Sequence, residues 1–131
     1  MADINNQKMI AVIEDEEDLL DLYVNVLENE GYKVDQAKNG EEGLELLTKD
    51  GYDLVLLDIM LPKMDAFQIL NELKKNKAKT QDFSKIVLLT NLSQESVMKQ
   101  TKELKLKNYL IKCDYNPSEF ISKINEFLKS N

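Results

Sequence analysis

The chain has 131 residues, 43% of them hydrophobic and 31% charged, with a formal net charge of −7. That length suits a single domain able to bury about two-thirds of the surface its unfolded chain exposes, and the acidic balance argues against direct binding to nucleic acid, which needs a basic face. The absence of histidine excludes imidazole catalysis and His metal sites, the lone Cys113 excludes an internal disulfide, the polar start around Asp3 has no signal-peptide core, and no apolar run approaches the roughly 20 residues of a membrane span, so a cytoplasmic protein is expected.

Met9 to Ile13 reads as a buried strand, followed by five acids, Glu14 to Asp18. The first two could be loop ligands; the later ones suit the first turn of a helix, where negative charge meets the positive end of the helix dipole. Leu20, Val24 and Leu27 recur at helical spacing, with Gly31 as a C-cap candidate. Tyr32 to Ala37 alternates like a strand near a sheet edge, and Asn39-Gly40 is a turn or cap. Leu44 and Leu47 mark a helix over Glu42 to Thr48. Leu54 to Leu57 is an unbroken apolar run, as expected of a strand buried on both faces, and Asp58 ends it. After Pro62 a helix begins near Asp65, carrying Phe67, Ile69, Leu70 and Leu73 into a solvated lysine-rich stretch from Lys74 to Lys79. Ile86 to Leu89 is a fourth buried strand ending in Thr90. Val97, Thr101 and Leu104 mark a helix over Ser93 to Leu104. Tyr109 to Ile111 is a short fifth strand ending in Lys112, and Pro117 opens a final amphipathic helix with Phe120, Ile121, Ile124, Phe127 and Leu128.

Five strands alternating with five helices predict an α/β fold: a parallel sheet with right-handed crossovers and helices on both faces. In such a sheet the carboxyl ends of several strands form the ligand edge. Strand one delivers Glu14 and Asp15 there, strand three Asp58, strand four Thr90 and strand five Lys112. Three converging carboxylates repel, and a hard divalent cation such as Mg²⁺ would offset that charge. A carboxylate nucleophile, a bridging cation, an ammonium and a hydroxyl are the parts of a site that forms an aspartyl phosphate.

Carried by Glu14-Asp15, the segment from Asp58 to Asp65 (DIMLPKMD), Thr90, Tyr109 and Lys112, the sequence resembles the response-regulator receiver domain of two-component signalling over nearly its whole length. The resemblance implies a flavodoxin-like (βα)5 doubly wound fold with strand order 2-1-3-4-5, here one receiver domain over 1–131 with an ordered core of about 8–129 and no output domain. It implies that Asp58 accepts a phosphoryl group from a partner histidine kinase or phosphotransfer protein, with Mg²⁺ held by Glu14, Asp15, Asp58 and the backbone carbonyl of Met60, so that the chain is a signalling domain and not a classical enzyme. It also implies that Thr90 and Tyr109 relay the change to a face made of the fourth helix, the fifth strand and the fifth helix. A downstream protein or output domain would dock there, and a homodimer on phosphorylation is left open. No direct nucleic-acid or membrane contact is expected. The resemblance further implies that the residues two beyond the aspartate and the threonine gate the attacking water; here these are Met60 and Leu92, both apolar and poor at positioning water, so slow self-dephosphorylation is expected.

The sequence departs from the family pattern where glycine is common, at Lys63 and Ala66, and at Asn91, Lys105-Leu106 and Cys113. Cys113 stands where proline usually follows the lysine, and a trans Lys112–Cys113 bond is expected because a cis non-proline bond costs about 3–4 kcal/mol. The alternative reading is a pseudo-receiver, an interaction module that is not phosphorylated. A flavodoxin-type carrier is disfavoured because acids replace its phosphate-cradling loop, and an aspartyl-phosphate phosphatase because Met60 stands where a second aspartate is needed.

Overall fold

Alternation sorts the side chains of a strand onto two faces, and apolar residues on both faces demand a layer on each. The computed structural model describes residues 7–49, 51–75, 82–91, 99, 108–112 and 116–130. Its strands are β1 (Met9–Ile13), β2 (Lys33–Ala37), β3 (Leu54–Asp58), β4 (Ile86–Thr90) and β5 (Asn108–Ile111). They form one parallel sheet in the order β2-β1-β3-β4-β5, the order expected from the sequence. The helices are α1 (Glu17–Asn29), α2 (Gly40–Leu47), α3 (Ala66–Lys75) and a C-terminal helix (Pro117–Ser130), with a short 3-10 turn at Phe83–Lys85. Lys99 is helical, but the rest of the helix expected at 93–104, the end of the lysine run, Leu92 and the Lys112–Cys113 bond lie outside the described residues.

Odd and even positions divide cleanly. Ala11, Ile13, Val55, Leu57, Ile86 and Leu88 pack with Leu47 of α2 and with Ile69, Leu70 and Leu73 of α3. Ile10, Val12, Leu54, Leu56, Val87, Leu89 and Leu110 pack on the other face with Leu20, Tyr23, Val24 and Leu27 of α1 and with Phe120 and Ile124 of the C-terminal helix. Each Val, Leu or Ile among them, fully buried, contributes about 1.5–3 kcal/mol. Tyr23 stacks on Phe120 with ring centroids 4.8 Å apart, and the Tyr32 hydroxyl donates to Asn125 Oδ1, tying α1 and its exit to the C-terminal helix. β3 and β4 are buried along their whole length, whereas in β2 only Ala37 is buried, which makes β2 an edge strand.

Element ends follow capping chemistry. Gly31, at φ +96°, closes α1: its N–H donates to the Glu28 carbonyl at 3.0 Å and the Tyr32 N–H to the Leu27 carbonyl at 3.2 Å, so β2 starts at Lys33 and not at Tyr32. Asn39 Oδ1 accepts the Glu42 N–H at 2.9 Å, so α2 begins at Gly40, two residues before the start expected at Glu42. Asp65 with Gln68, and Asn116 with Glu119, form reciprocal capping boxes with bonds of 2.9–3.1 Å. All three caps stand at the sheet's carboxyl edge and fix where helices leave it. Among the described residues no helix is long and apolar enough to cross a membrane.

Candidate functional site

Parity along the strands decides which strand-end residues meet. Glu14 continues the series Ile10, Val12; Asp58 continues Leu54, Leu56; Lys112 continues Leu110. All three therefore fall on the face shared with α1 and the C-terminal helix. There the Lys112 ammonium donates to Glu14 Oε1 at 2.6 Å and to Asp58 Oδ2 at 2.9 Å. The three side chains are buried, with exposures of 7%, 0% and 4%. The remaining carboxylate oxygens are also held: Asp15 N–H donates to Glu14 Oε2 at 3.0 Å, and Met60 N–H to Asp58 Oδ1 at 3.2 Å.

Thr90 and Tyr109 have the opposite parity. Thr90 ends β4 and is buried, at the level of Ile111. Tyr109 is half-buried against the α2–α3 layer, two residues before the end of β5, so it stands apart from the strand-end cluster but on the same face of the sheet as Thr90. Met60 is 69% exposed at the mouth of the site.

Glu14, Asp15 and Asp58 each offer a carboxylate oxygen, and these lie within 4.8 Å of one another. Burial pushes the Glu14 carboxyl up to about 8; Asp58 adds to the rise, and Lys112 only partly offsets it. Burial would lower the Lys112 ammonium, yet its hydrogen bonds to Glu14 and Asp58 win and hold it above its ordinary value. With Glu14 ionised, one ammonium does not neutralise this pocket. Hard oxygen donors with surplus negative charge, one of them on the exposed Asp15, fit a magnesium-like cation that keeps several waters.

The loop after Asp58 has two features that sequence reasoning did not reach. Lys63 adopts φ +70°, the left-handed region, at a position where the family pattern favours glycine. Gly40 of α2 touches this loop: its N–H donates to the Pro62 carbonyl at 3.2 Å. The signal for the first was the missing glycine itself; for the caps that set the helix starts it was Asn39-x-x-Glu42, Asp65-x-x-Gln68 and Asn116-x-x-Glu119.

A family model for the response regulator receiver domain matches residues 10–125. The chain belongs to this family. The receiver domain is 30% identical over 127 residues to transcriptional regulatory protein ResD of Bacillus subtilis, covering 97% of this chain and 50% of that protein. It is 29% identical over 120 residues to transcriptional regulatory protein SrrA of Staphylococcus aureus, covering 92% and 47%. The chain thus spans about half the length of the curated relatives it matches. Its fold superposes on a CheY-like response regulator receiver domain protein from Methanospirillum hungatei with a TM-score of 0.78 and 26% identity, over 95% of this chain and 96% of that one. The HemR receiver domain of Leptospira biflexa, at 23% identity and TM-score 0.77 over 93% and 94% of the two chains, shares the fold. The chain is a response-regulator receiver domain, the kind found in two-component signal transduction.

Proposed function

We propose that Asp58 is the phosphoacceptor of this receiver and takes its phosphoryl group from a phosphohistidine on a partner histidine kinase or phosphotransfer protein. The observation that carries this reading is the buried Glu14–Lys112–Asp58 cluster, whose ammonium bonds both carboxylates. A structural salt bridge needs one acid; a second, with a third carboxylate within 4.8 Å, is surplus charge that stability alone does not call for. In the transfer, an Asp58 carboxylate oxygen forms a new P–O bond as the P–N bond of the phosphohistidine breaks, the electron pair leaving on the imidazole nitrogen. The Met60 N–H fixes one Asp58 oxygen, so the carboxylate stays aligned. Lys112 lies against the other and can follow the charge onto the incoming phosphoryl oxygens. Thr90, buried at the next strand end, would offer its hydroxyl to the same group, and with Tyr109 would pass the change to a face of the helix expected at 93–104, β5 and the C-terminal helix. Glu14, Asp15, Asp58 and the Met60 carbonyl would hold Mg²⁺. Once bound, Mg²⁺ supplies the positive charge that draws carboxylates and phosphoryl oxygens together.

On this reading residues 1–131 act as a single cytoplasmic receiver unit that signals through protein partners, with chemistry limited to its own phosphorylation and dephosphorylation. The test is phosphate uptake from acetyl phosphate with Mg²⁺, followed by intact mass. Wild type should gain one phosphoryl group and Asp58→Asn none. Equal labelling of the two would remove Asp58 from its role, and no labelling of wild type by any donor would leave a pseudo-receiver.

A further inference from the structure

We infer that Gly40, in the first turn of α2, is a positioning residue for Asp58: it clamps the loop that carries the Met60 amide. The inference rests on reading Asp58 as the phosphoacceptor. Asp58 ends β3, and the loop to α3 begins at Ile59. That start is pinned, because Ile59 N–H donates to the Leu89 carbonyl at 3.0 Å and its own carbonyl accepts from Ala66 N–H at 3.2 Å. The far side is pinned at Pro62, whose carbonyl accepts from Gly40 N–H at 3.2 Å and Met64 N–H at 2.8 Å. Met60, whose N–H holds Asp58 Oδ1, lies between the two pins.

The clamp requires that residue 40 have no side chain. A Cβ on Gly40 would sit 1.9 Å from the Met64 carbonyl oxygen and 2.6 Å from its carbonyl carbon. Those are backbone atoms, so no rotamer change relieves the clash; the loop or the helix must move. The helix is the firmer of the two, capped by Asn39 and seated on Ile13 through Gly43. The loop is the softer, since it turns through Lys63 at φ +70°. A displaced loop carries the Met60 amide away from Asp58, and a shift of about 1 Å in a reacting geometry can cost up to about a hundredfold in rate. Gly43 supplies the control. A Cβ there would meet the Ile13 side chain first, at 2.8 Å, where Gly40 would meet the loop backbone.

The experiment compares Gly40→Ala and Gly43→Ala in the full chain, well below both melting temperatures. It reads the Met60 amide resonance in a ¹⁵N-labelled sample and the rate of phosphoryl uptake from acetyl phosphate with Mg²⁺. Gly40→Ala should shift the Met60 resonance and slow uptake about tenfold or more, while Gly43→Ala should lose thermal stability yet stay within about twofold of the wild-type rate. A folded Gly40→Ala with an unmoved Met60 resonance and wild-type uptake overturns the inference, as does equal slowing by Gly43→Ala. If Gly40→Ala does not fold, Asn39→Ala loosens the same turn without adding an atom and should shift the Met60 resonance and slow uptake about threefold; no change in either overturns the inference. Should wild type take no phosphate, the phosphoacceptor reading fails by itself, and the Met60 resonance still decides the clamp.

Discussion

Glu14 is fully buried, and that burial, reinforced by Asp58, holds its carboxyl near 8 instead of the ordinary 4.5. Between those values the folded protein binds more protons than the unfolded chain, so stability is present on the acid side and falls as pH rises through the folded value, by at most about 1.4 kcal/mol per pH unit. Metal-free protein should therefore show a urea midpoint that drops from about pH 5 to about pH 8, and Glu14→Gln should flatten the drop. A wild-type midpoint that is level or rising across that range would refute the assignment. The cluster itself was legible in the sequence because Glu14, Asp58 and Lys112 each directly follow an apolar run, and a period of two then brings them onto one face. The Lys112 bridge to both acids was not legible, since it depends on how two strands flanking β3 and β4 place long side chains across the sheet end. Tyr109 lies inside β5 and not at its end, which separates it from the cluster in a way that its nearness to Lys112 in sequence conceals.

Helix starts were misread by a residue or two, for one reason. An apolar stripe reports which face is buried, whereas the first turn is polar and is set by its cap. Asn39 starts α2 at Gly40, although Leu44 is the first apolar residue of the stripe. The turn between β3 and α3 shows the reverse case, a position where the side chain opposes the local backbone. Lys63 at φ +70° costs about 1–2 kcal/mol relative to glycine there, while glycine gives back about 0.5–1 kcal/mol of unfolded-state entropy. Its ion pair with Glu41, at 3.7 Å and exposed on both sides, offsets little. Lys63→Gly should raise the free energy of unfolding by about 0.5 kcal/mol in a denaturant titration. A clear loss of stability would mean that the lysine stem, and not the ion pair, is what holds the turn.

For the molecule as a whole, only the folded chain gathers Glu14, Asp15 and Asp58, so a cation bound there stabilises by mass action. At ten times the dissociation constant the gain is about 1.4 kcal/mol, or about 5 °C in melting temperature for a domain of this size. Calorimetric melts with and without millimolar Mg²⁺ should show that rise in wild type and little of it in Asp15→Ala; matched melts with and without the metal would count against a metal site. The architecture was readable because four of the five strands are short apolar runs separated by helical stripes. The fifth, β2, was recognised only by alternation, and it is the strand that closes one side of the sheet. That position has a consequence for self-association. Among the described residues no further strand pairs with its outer backbone groups, which makes it the natural place for a second copy to extend the sheet and seed aggregation. A two-fold pairing centred on β2 would set Asp35 against its own copy. The Tyr52 hydroxyl holds that carboxylate in place at 2.7 Å, so the like charges could not easily swing apart. One aspartate on this edge strand thus discourages two copies from joining their sheets through it.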